Sequence, residues 1–429
     1  MASGPRVVPI RQRQRPPGAG EWWDRLERDD KGRIVADLDN VLVALRGAEQ
    51  FQLAVAFDEM MMHSIVTREW PRVPEADPAD KPVPRETDDD DISSLQQWLQ
   101  RMGIRRIGRE IVGQAVEHLA HERPQHPIRD YLNNLEWDGV KRLDRWLFTY
   151  FGAEAGSDDE IEYVAAIGKM FLIAMVKRIF KPGCQADYML VLEGEQGTLK
   201  STACRVLAGG DWFSDGLPEN ISGKDARQHL RGKWLMEVPE LAAFSKAEVE
   251  ALKAFITRRE EKYRPPFGRH DVAEKRQCLF IGTTNQGVYI KDVTGGRRFW
   301  PVKTTVIDVT GLAEARDQLF AEAMVAHRNN EPHWPDPDFE RSHFKPQQLA
   351  RQEDDPWLAI IQEGLDKRPE WRKFIIADIA REILGFDGAS RIGTADNRRI
   401  MNCLNELGYE QQRTMHGRFY IKVRKKDDA

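Results

Sequence analysis

The segment VLEGEQGTLKST, residues 191–202, constrains the fold of this chain more than any other. The apolar run YMLVLEG precedes its loop, and KSTACRVLAG, which has the composition of a helix, follows it. A glycine-containing loop between a buried strand and a helix is typical of α/β proteins with a parallel sheet. Backbone N–H groups of such a loop, with those of the first helical turn, bind phosphate. The sequence therefore predicts an α/β fold with a phosphate-binding loop, residues 194–199.

The residue types in this loop indicate a nucleoside triphosphate as the ligand. In loops of this kind a lysine reaches the β- and γ-phosphates, and the next residue binds Mg²⁺ through its hydroxyl group. Lys200 and Ser201 occupy these positions, so ATP and Mg²⁺ are the expected cofactors. The predicted nucleotide-binding residues are Gly194, Glu195, Gln196, Gly197, Thr198, Leu199, Lys200, Ser201 and Thr202.

Leu199 departs from the usual pattern, in which a glycine precedes the lysine. If the backbone at this position has a positive φ, leucine costs on the order of 1–3 kcal/mol. If Leu199 already lies in the first turn of the helix, the cost is small. The sequence leaves both possibilities open.

Polar residues also follow the next two predicted strands. Glu237 ends the strand KWLMEV, Glu240 comes three residues later, and Asn285 ends the strand CLFIGTTN. One carboxylate at such a site positions Mg²⁺ and a second orients the attacking water, while an amide contacts the γ-phosphate. Ser201 and Glu237 are therefore the predicted metal-binding residues, with Glu240 as the residue that orients water. The structural alternatives are an exposed strand end, a Pro-Glu helix start and a turn asparagine.

Paired arginines, Arg297 and Arg298, follow a Gly-Gly turn and precede the strand FWPVKT. Guanidinium groups on a loop can reach the γ-phosphate bound by a neighbouring subunit. The alternative is a pair of surface arginines in a hairpin. The predicted catalytic residues are Lys200, Glu237, Glu240, Asn285, Arg297 and Arg298.

These segments together resemble the virulence-associated protein E family. The resemblance rests on EGEQGTLKS and on residues 211–269 and 277–302, with a further similar stretch at 126–147, and it covers roughly residues 90–330. It implies a P-loop ATPase of phages, prophages and mobile islands, related to superfamily 3 helicases and forming an AAA-like ring. On the family pattern, Lys200 and Ser201 match Walker A, and Glu237 and Glu240 match Walker B. Asn285 matches sensor 1, and Arg297 or Arg298 matches the arginine finger.

Composition divides the remainder of the chain. The predicted class is α/β, with an AAA-like P-loop ATPase core, a mostly helical N-terminal domain and a C-terminal winged-helix-like domain. The predicted parts are a disordered basic tail (1–20), the N-terminal domain (21–155) with an acidic proline-rich loop (71–91), the ATPase domain (156–330), a linker (331–352) and the winged-helix-like domain (353–429).

Relatives of this family often carry a primase domain, whose chemistry needs paired metal-binding carboxylates. Asp37 and Asp39 have such a spacing, but they run into a helical pattern in which an N-cap explains them. The acids at 88–91 are likewise expected to precede a helix as its N-cap. We therefore do not predict priming activity.

Two basic regions are candidates for contact with DNA, although the net charge of the chain is −5. One is a predicted hairpin within residues 255–276, and the other is the predicted third helix and wing of the C-terminal domain. The hairpin would track phosphates without reading bases. Solvated charges or a protein-binding winged helix are the alternatives. The predicted DNA-binding residues are Lys262, Arg264, Arg269, Arg398 and Arg399, with Arg391 and Arg418 as further candidates.

Composition also limits the compartment and the partners. The chain has no apolar run of about 20 residues, and its four cysteines lack CxxC spacing. We therefore expect a cytoplasmic protein with reduced thiols, no metal-thiolate site and no membrane partner. The expected partners are single-stranded DNA in a ring channel, duplex DNA at the winged helix, further copies of the chain with a hexamer as the candidate size, and a separate primase.

The sequence thus predicts a DNA-dependent ATPase, namely a helicase or replication initiator of a phage or mobile element. Two alternatives remain open. One is a nucleotide-regulated DNA-binding protein with a degenerate ATPase site, and the other is a phage-interference ATPase.

Overall fold

The computed structural model describes residues 15–68, 82–218, 221, 223–264, 271–290, 296–353, 355–387, 392–414 and 417–422. The chain forms two compact units. The larger comprises residues 1–287 and 294–349, and the smaller comprises residues 288–293 and 350–429. The mixed α/β class predicted from the sequence is confirmed, because a parallel sheet flanked by helices lies in the larger unit.

The N-terminal part of the larger unit combines helices with a small sheet in the order β3-β2-β1-β4. Its strands are β1 (Val55–Asp58), β2 (His63–Val66), β3 (Arg85–Glu86) and β4 (Pro124–Gln125). Its helices are α1 (Leu38–Gly47), α2 (Asp89–Arg101) and α3 (Arg109–His121). One strand was expected between residues 51 and 66, whereas β1 and β2 form an antiparallel hairpin there.

Two acidic groups in this part cap helices, as the sequence indicated. The Asp37 carboxylate accepts a hydrogen bond from the Asn40 amide at 3.0 Å and starts α1. Asp88 accepts from the amides of Asp90 and Asp91, each at 3.0 Å, and starts α2. Within the described ranges, no group of three or more His, Cys, Asp or Glu residues is arranged to hold a metal ion.

The remainder of the larger unit is built on a five-stranded sheet in the order β11-β5-β10-β7-β6, all parallel. The five strands of this sheet are β5 (Met189–Glu193), β6 (Phe213–Ser214), β7 (Leu235–Val238), β10 (Leu279–Thr284) and β11 (Phe299–Lys303). Between β7 and β10 the chain forms a separate antiparallel hairpin of β8 (Glu260–Tyr263) and β9 (Val272–Lys275). Every residue of β5, β7 and β10 is buried, because helices cover both faces of the sheet.

The helices of this part are α4 (Pro127–Asn133), α5 (Trp146–Phe151), α6 (Asp158–Phe180), α7 (Lys200–Ala208), α8 (Lys224–His229), α9 (Lys246–Ile256), α10 (Val309–Arg328), α11 (Pro337–Phe339) and α12 (Lys345–Leu349). The apolar segment 164–180 lies in α6, which was expected to be a buried helix and is packed against α10. In the part of the chain that the structure describes, no helix combines the length and apolar character needed to cross a membrane.

The order of the strands determines where a ligand can bind. After β5 the chain crosses to β6 at one edge, returns through β7 and β10, and then adds β11 on the other side of β5. The direction of winding therefore reverses beside β5. In open parallel sheets, ligands bind at the carboxyl ends of the strands next to such a reversal. The predicted phosphate-binding loop, residues 194–199, lies at this place.

Arg316 of α10 holds the C-terminal end of α7. Its Nε donates to the Leu207 carbonyl at 3.0 Å and its Nη2 donates to the Ala208 carbonyl at 3.1 Å. The guanidinium group also lies 4.6 Å from the ring centre of Tyr131. A cation at a helix C-terminus interacts favourably with the helix dipole. The helix that begins at Lys200 is thus fixed at its far end.

The smaller unit contains helices followed by a hairpin, in the order expected from the sequence. Its elements are α13 (Pro356–Asp366), α14 (Ile376–Asp378) continued by a π-helical turn (Ile379–Ile383), α15 (Thr394–Glu406), β12 (Tyr409–Thr414) and β13 (Gly417–Lys422). Phe374 pairs with Tyr420 of β13 in an antiparallel bridge. The winged-helix assignment itself stays a prediction.

Candidate nucleotide-binding site

The phosphate-binding loop joins β5 to α7, and the side chain of Lys200 lies within it. The ammonium group donates to the carbonyl oxygens of Gly194 at 2.8 Å and Glu195 at 2.7 Å, and to Thr198 Oγ1 at 3.2 Å. Burial lowers the pKa of Lys200, and the negative charge of Glu237 opposes this shift. The loop therefore holds a cation at its centre, where a phosphate group would need one.

Two glycines are required by the geometry of the loop. A Cβ atom at Gly194 would lie 2.7 Å from the carbonyl oxygen of Thr304, which directly follows β11. Gly197 has a φ of +86°, which side chains rarely adopt. Glycine therefore lets the backbone approach the neighbouring strand end at position 194 and take a left-handed conformation at position 197.

Leu199 has a left-handed backbone, with φ +64° and ψ +23°. Of the two alternatives that the sequence left open, the strained one is therefore correct. A left-handed conformation costs an L-residue roughly 1–2 kcal/mol. Its carbonyl nevertheless accepts the first helical hydrogen bond, from the Ala203 amide at 2.9 Å. The left-handed backbone of Leu199 therefore does not prevent the regular start of α7. Leu199 is 54% exposed.

Glu237 connects this loop to two strands of the sheet. Its carboxylate is 0% exposed. Oε1 accepts hydrogen bonds from Ser201 Oγ and from Thr283 Oγ1, both at 2.7 Å. Oε2 is buried and has no hydrogen-bond donor among the described residues. A buried anionic oxygen without a donor is costly unless it is neutralised, so Mg²⁺ held by Ser201 and Glu237 fits this site.

Thr283 was not among the predicted catalytic residues. Its hydroxyl group orients the Glu237 carboxylate from the neighbouring strand β10. The available signal was the pair of threonines at the end of an otherwise apolar strand. That pattern does not say which threonine points toward the loop.

Glu240 and Asn285 border the same cleft as the phosphate-binding loop. Glu240 has a left-handed backbone, with φ +50°, and begins the 3₁₀ turn Leu241–Ala243 that precedes α9. The cleft has a volume of about 480 Å³. Its lining residues are Gln196, Gly197, Thr198, Leu199, Lys200, Ser201, Thr202, Glu240, Ala242, Ala243, Thr283, Thr284, Asn285 and Gln286. The structure thus brings Lys200, Ser201, Glu240 and Asn285 together around the cleft. Glu237 lies behind them and accepts hydrogen bonds from two lining residues, Ser201 and Thr283.

Arg297 and Arg298 lie at the opposite end of the strands, directly before β11. β11 runs parallel to β5, with Phe299 beside Met189 and Lys303 beside Glu193. Arg298 directly precedes Phe299, which lies beside Met189, whereas the predicted phosphate-binding loop begins at Gly194. Six residue steps along the strand direction therefore separate their backbones, about 20 Å. The arginines border another cleft of about 310 Å³, with Gln185, Asp187, Tyr188, Trp300, Trp334, Pro335 and Glu340. Within the chain, the arginines and the loop are not brought together.

The hairpin β8–β9 leaves only part of its predicted basic surface available. Arg276 is 3% exposed and donates through Nε to Glu261 at 2.7 Å, and Arg258 lies 3.6 Å from the same carboxylate. Lys262 is exposed and 3.0 Å from Glu260, and Arg264 is also exposed. Arg269 lies outside the described residues. Arg276 also donates through Nη1 to the Ile256 carbonyl at 3.3 Å, so this buried arginine holds the base of the hairpin to α9.

In the smaller unit, the two predicted arginines of α15 differ in environment. Arg399 donates to Asp355 at 2.7 Å, and its guanidinium group lies 4.0 Å from the ring centre of Trp357. Arg398 and Arg418 are exposed. Arg391 lies outside the described residues. The structure thus gives Arg399 an intramolecular partner, which argues against its predicted contact with DNA.

Comparison with known protein families decides the identity. A family model of the virulence-associated protein E-like domain matches residues 132–353, which is more than half of the chain. The chain belongs to the virulence-associated protein E-like family. The matched residues of this family member include the phosphate-binding loop, Glu237, Glu240, Asn285 and both arginines before β11.

The family member also resembles solved structures of the C-terminal region of NrS-1. Two A-form apo structures are 14% identical to it, with TM-scores of 0.45 and 0.43, each covering 86% of this chain and 96% of theirs. A further apo structure is 13% identical, has a TM-score of 0.46 and covers 86% of this chain and 95% of its own. None of the curated proteins matches the sequence.

Proposed function

We propose that this virulence-associated protein E-like protein is a DNA-dependent ATPase of the cytoplasm, acting as a ring-forming helicase or replication initiator of a phage or mobile element. The observation that carries the proposal is the 2.7 Å hydrogen bond from Ser201 Oγ to the buried carboxylate of Glu237. It joins the first turn of α7, which directly follows the predicted phosphate-binding loop, to an acidic group whose second oxygen has no donor within the described part of the chain.

The residues of the cleft support a division of work in ATP hydrolysis. The ammonium group of Lys200 would exchange its loop carbonyls for the β- and γ-phosphates of ATP. Ser201 and Glu237 would hold Mg²⁺, which neutralises charge on the phosphates. Glu240 would orient the attacking water and accept its proton, and the Asn285 amide would contact the γ-phosphate. Thr283 would keep the Glu237 carboxylate in place.

The separation of the arginines from the loop supports assembly into a ring. Arg297 and Arg298 cannot reach a nucleotide in their own subunit, because they precede β11 while the loop follows β5. In a head-to-tail assembly, they would instead meet the γ-phosphate bound by the neighbouring copy. We therefore propose a homo-oligomer, with a hexamer as the candidate size.

Exposed cations support contact with DNA through local patches. Lys262 and Arg264 on the hairpin would follow the backbone of single-stranded DNA in the channel. Arg398 and Arg418 of the smaller unit would contact duplex DNA in the manner of a winged helix. Priming would then fall to a separate protein, which we propose as a partner.

The proposal is tested by measuring ATP hydrolysis with and without single-stranded DNA. Lys200→Ala should lose turnover, whereas the matched control Lys141→Ala, which changes an exposed lysine outside the cleft, should retain it. Thermal unfolding of both variants checks that they are folded. DNA-stimulated hydrolysis by the wild type that Lys200→Ala abolishes supports the proposal. Normal turnover by folded Lys200→Ala refutes it.

The backbone of Leu199 favours one alternative, a nucleotide-regulated DNA-binding protein without a motor. Its φ of +64° strains the residue before Lys200, and a strained loop can bind a nucleotide without aligning it for hydrolysis. This alternative predicts ATP binding without turnover. It also predicts no change of oligomeric state in gel filtration with a non-hydrolysable ATP analogue.

A further inference from the structure

The chain segment that follows Asn285 belongs to the smaller unit rather than to the sheet that it leaves. The amides of Tyr289 and Ile290 donate to the Arg351 carbonyl at 3.0 and 2.9 Å. The Glu353 amide donates back to the Ile290 carbonyl at 3.0 Å. Ile290 and Gln352 thus form a parallel bridge. Three backbone hydrogen bonds attach this segment to the residues that lead into α13.

Burial shows which side chains anchor the segment. Tyr289 and Ile290 are each 1% exposed, and Arg351 is 8% exposed. The preceding Val288 is 50% exposed. The attachment therefore depends on the two buried residues. The exposed Val288 is a suitable control position for substitutions at Ile290.

The attached segment lies close along the chain to the cleft. Asn285 borders the cleft, and only Gln286, Gly287 and Val288 separate it from Tyr289. Four residue steps span at most about 14 Å when fully extended. Asn285 and the anchor at Tyr289 are therefore joined by a short stretch of chain.

We propose that Tyr289 and Ile290 are positioning residues through which the smaller unit sets the place of Asn285 in the cleft. The inference rests on the proposed ATPase function, because it assigns Asn285 to the γ-phosphate. A nucleotide in the cleft and the state of the smaller unit are then linked. Since linkage is reciprocal, the smaller unit influences turnover, and a bound nucleotide influences the attachment.

The test compares Ile290→Asp with Val288→Asp, which introduces the same charge two residues earlier at an exposed position. Hydrogen exchange at the Glu353 amide is measured with and without a non-hydrolysable ATP analogue and Mg²⁺. The residues that line the cleft do not include Arg351, Gln352 or Glu353. An analogue effect on Glu353 that persists in Val288→Asp and is lost in Ile290→Asp therefore depends on the attachment.

We expect the analogue to slow exchange at Glu353 at least three-fold in the wild type and in Val288→Asp. In Ile290→Asp, exchange at the Glu353 amide should be at least ten-fold faster than in the wild type and insensitive to the analogue. ATP turnover of this variant should fall about ten-fold, with little change in its affinity for the analogue. Ile290→Val should behave as the wild type. If Ile290→Asp loses its thermal transition, the milder Ile290→Ala takes its place.

The outcomes separate the two proposals. A wild type that binds the analogue without any change at Glu353 overturns the positioning role alone. Turnover at the wild-type level in a folded Ile290→Asp variant also overturns it. If the wild type binds the analogue and exchange at Glu353 responds, but ATP is not hydrolysed, the proposed ATPase activity is refuted. The link between the cleft and the attached segment is then still supported. A wild type that does not bind the analogue refutes both.

Discussion

Glu237→Gln is expected to stabilise the protein while abolishing ATP turnover. The carboxylate is 0% exposed, and only its Oε1 is hydrogen-bonded, by Ser201 and Thr283. The second oxygen is buried without a donor among the described residues. Leaving a buried polar group unpaired costs about 1–3 kcal/mol, and more when the group is charged. Glutamine keeps an oxygen for both hydroxyl groups and removes the negative charge.

The gain in the free energy of unfolding should be about 1–3 kcal/mol. It should lie toward the lower end of that range, because the attraction between Glu237 and Lys200 is lost and the amide nitrogen that replaces Oε2 must itself find an acceptor in this buried place. Urea unfolding of the larger unit, in buffer without Mg²⁺ or nucleotide, measures this free energy. Glu314→Gln, an exposed substitution on α10, is the matched control and should change stability by less than about 0.5 kcal/mol.

Two results would refute the reasoning. A Glu237→Gln variant that is less stable than the wild type would show that the carboxylate is favourably solvated or paired in the native protein. A variant with greater stability and unchanged hydrolysis would show that Glu237 has no part in the reaction. Stability is therefore measured together with turnover at saturating ATP and Mg²⁺.

Three further predictions concern other parts of the larger unit. Arg316→Ala should lower the free energy of unfolding by about 2–3 kcal/mol, because two carbonyl groups at the end of α7 lose a charged donor; urea unfolding measures this, and a change below 0.5 kcal/mol contradicts it. Burial and Lys177 lower the pKa of His333 to about 4, so between about pH 6.5 and 4 the unfolded chain binds a proton that the folded protein does not. Stability should therefore fall by up to about 3 kcal/mol as the pH drops through this window, and His333→Gln should flatten that dependence in unfolding experiments at pH 7 and 4.5. Mixing the inactive variants Lys200→Ala and Arg298→Ala should restore part of the ATPase activity, because some interfaces then join an intact loop to an intact arginine; a mixture no more active than its components argues against action between subunits.

The local sequence was sufficient to predict a glycine-containing loop between a strand and a helix, and most of the residues that line the cleft beside it. A strand, a glycine-containing loop and a helix are neighbours in the chain, so their geometry depends on short-range contacts. The carboxyl ends of parallel strands share one edge, so polar residues after successive strands were expected to meet, as Ser201, Glu240 and Asn285 do at the cleft. The N-caps Asp37 and Asp88 were predictable for the same local reason.

Other features depend on contacts between residues far apart in the chain, which a local pattern does not contain. The sequence left the backbone of Leu199 open, and the structure gives it a positive φ. Because β11 lies parallel to β5 and beside it, Arg297 and Arg298 lie at the amino ends of these strands, whereas the loop lies at the carboxyl end of β5. Long-range ion pairs likewise decide which arginines remain exposed, since Arg399 is paired with Asp355.

What the sequence by itself determined was the class of the fold, the loop and the set of polar groups at the strand ends. Tertiary structure alone decided that Thr283 orients Glu237 and that the segment after Asn285 is held by the smaller unit. The physical reason is the range of the interactions. Turns, caps and strand ends follow from neighbouring residues, whereas strand order, buried ion pairs and backbone bridges follow from the packing of the whole chain.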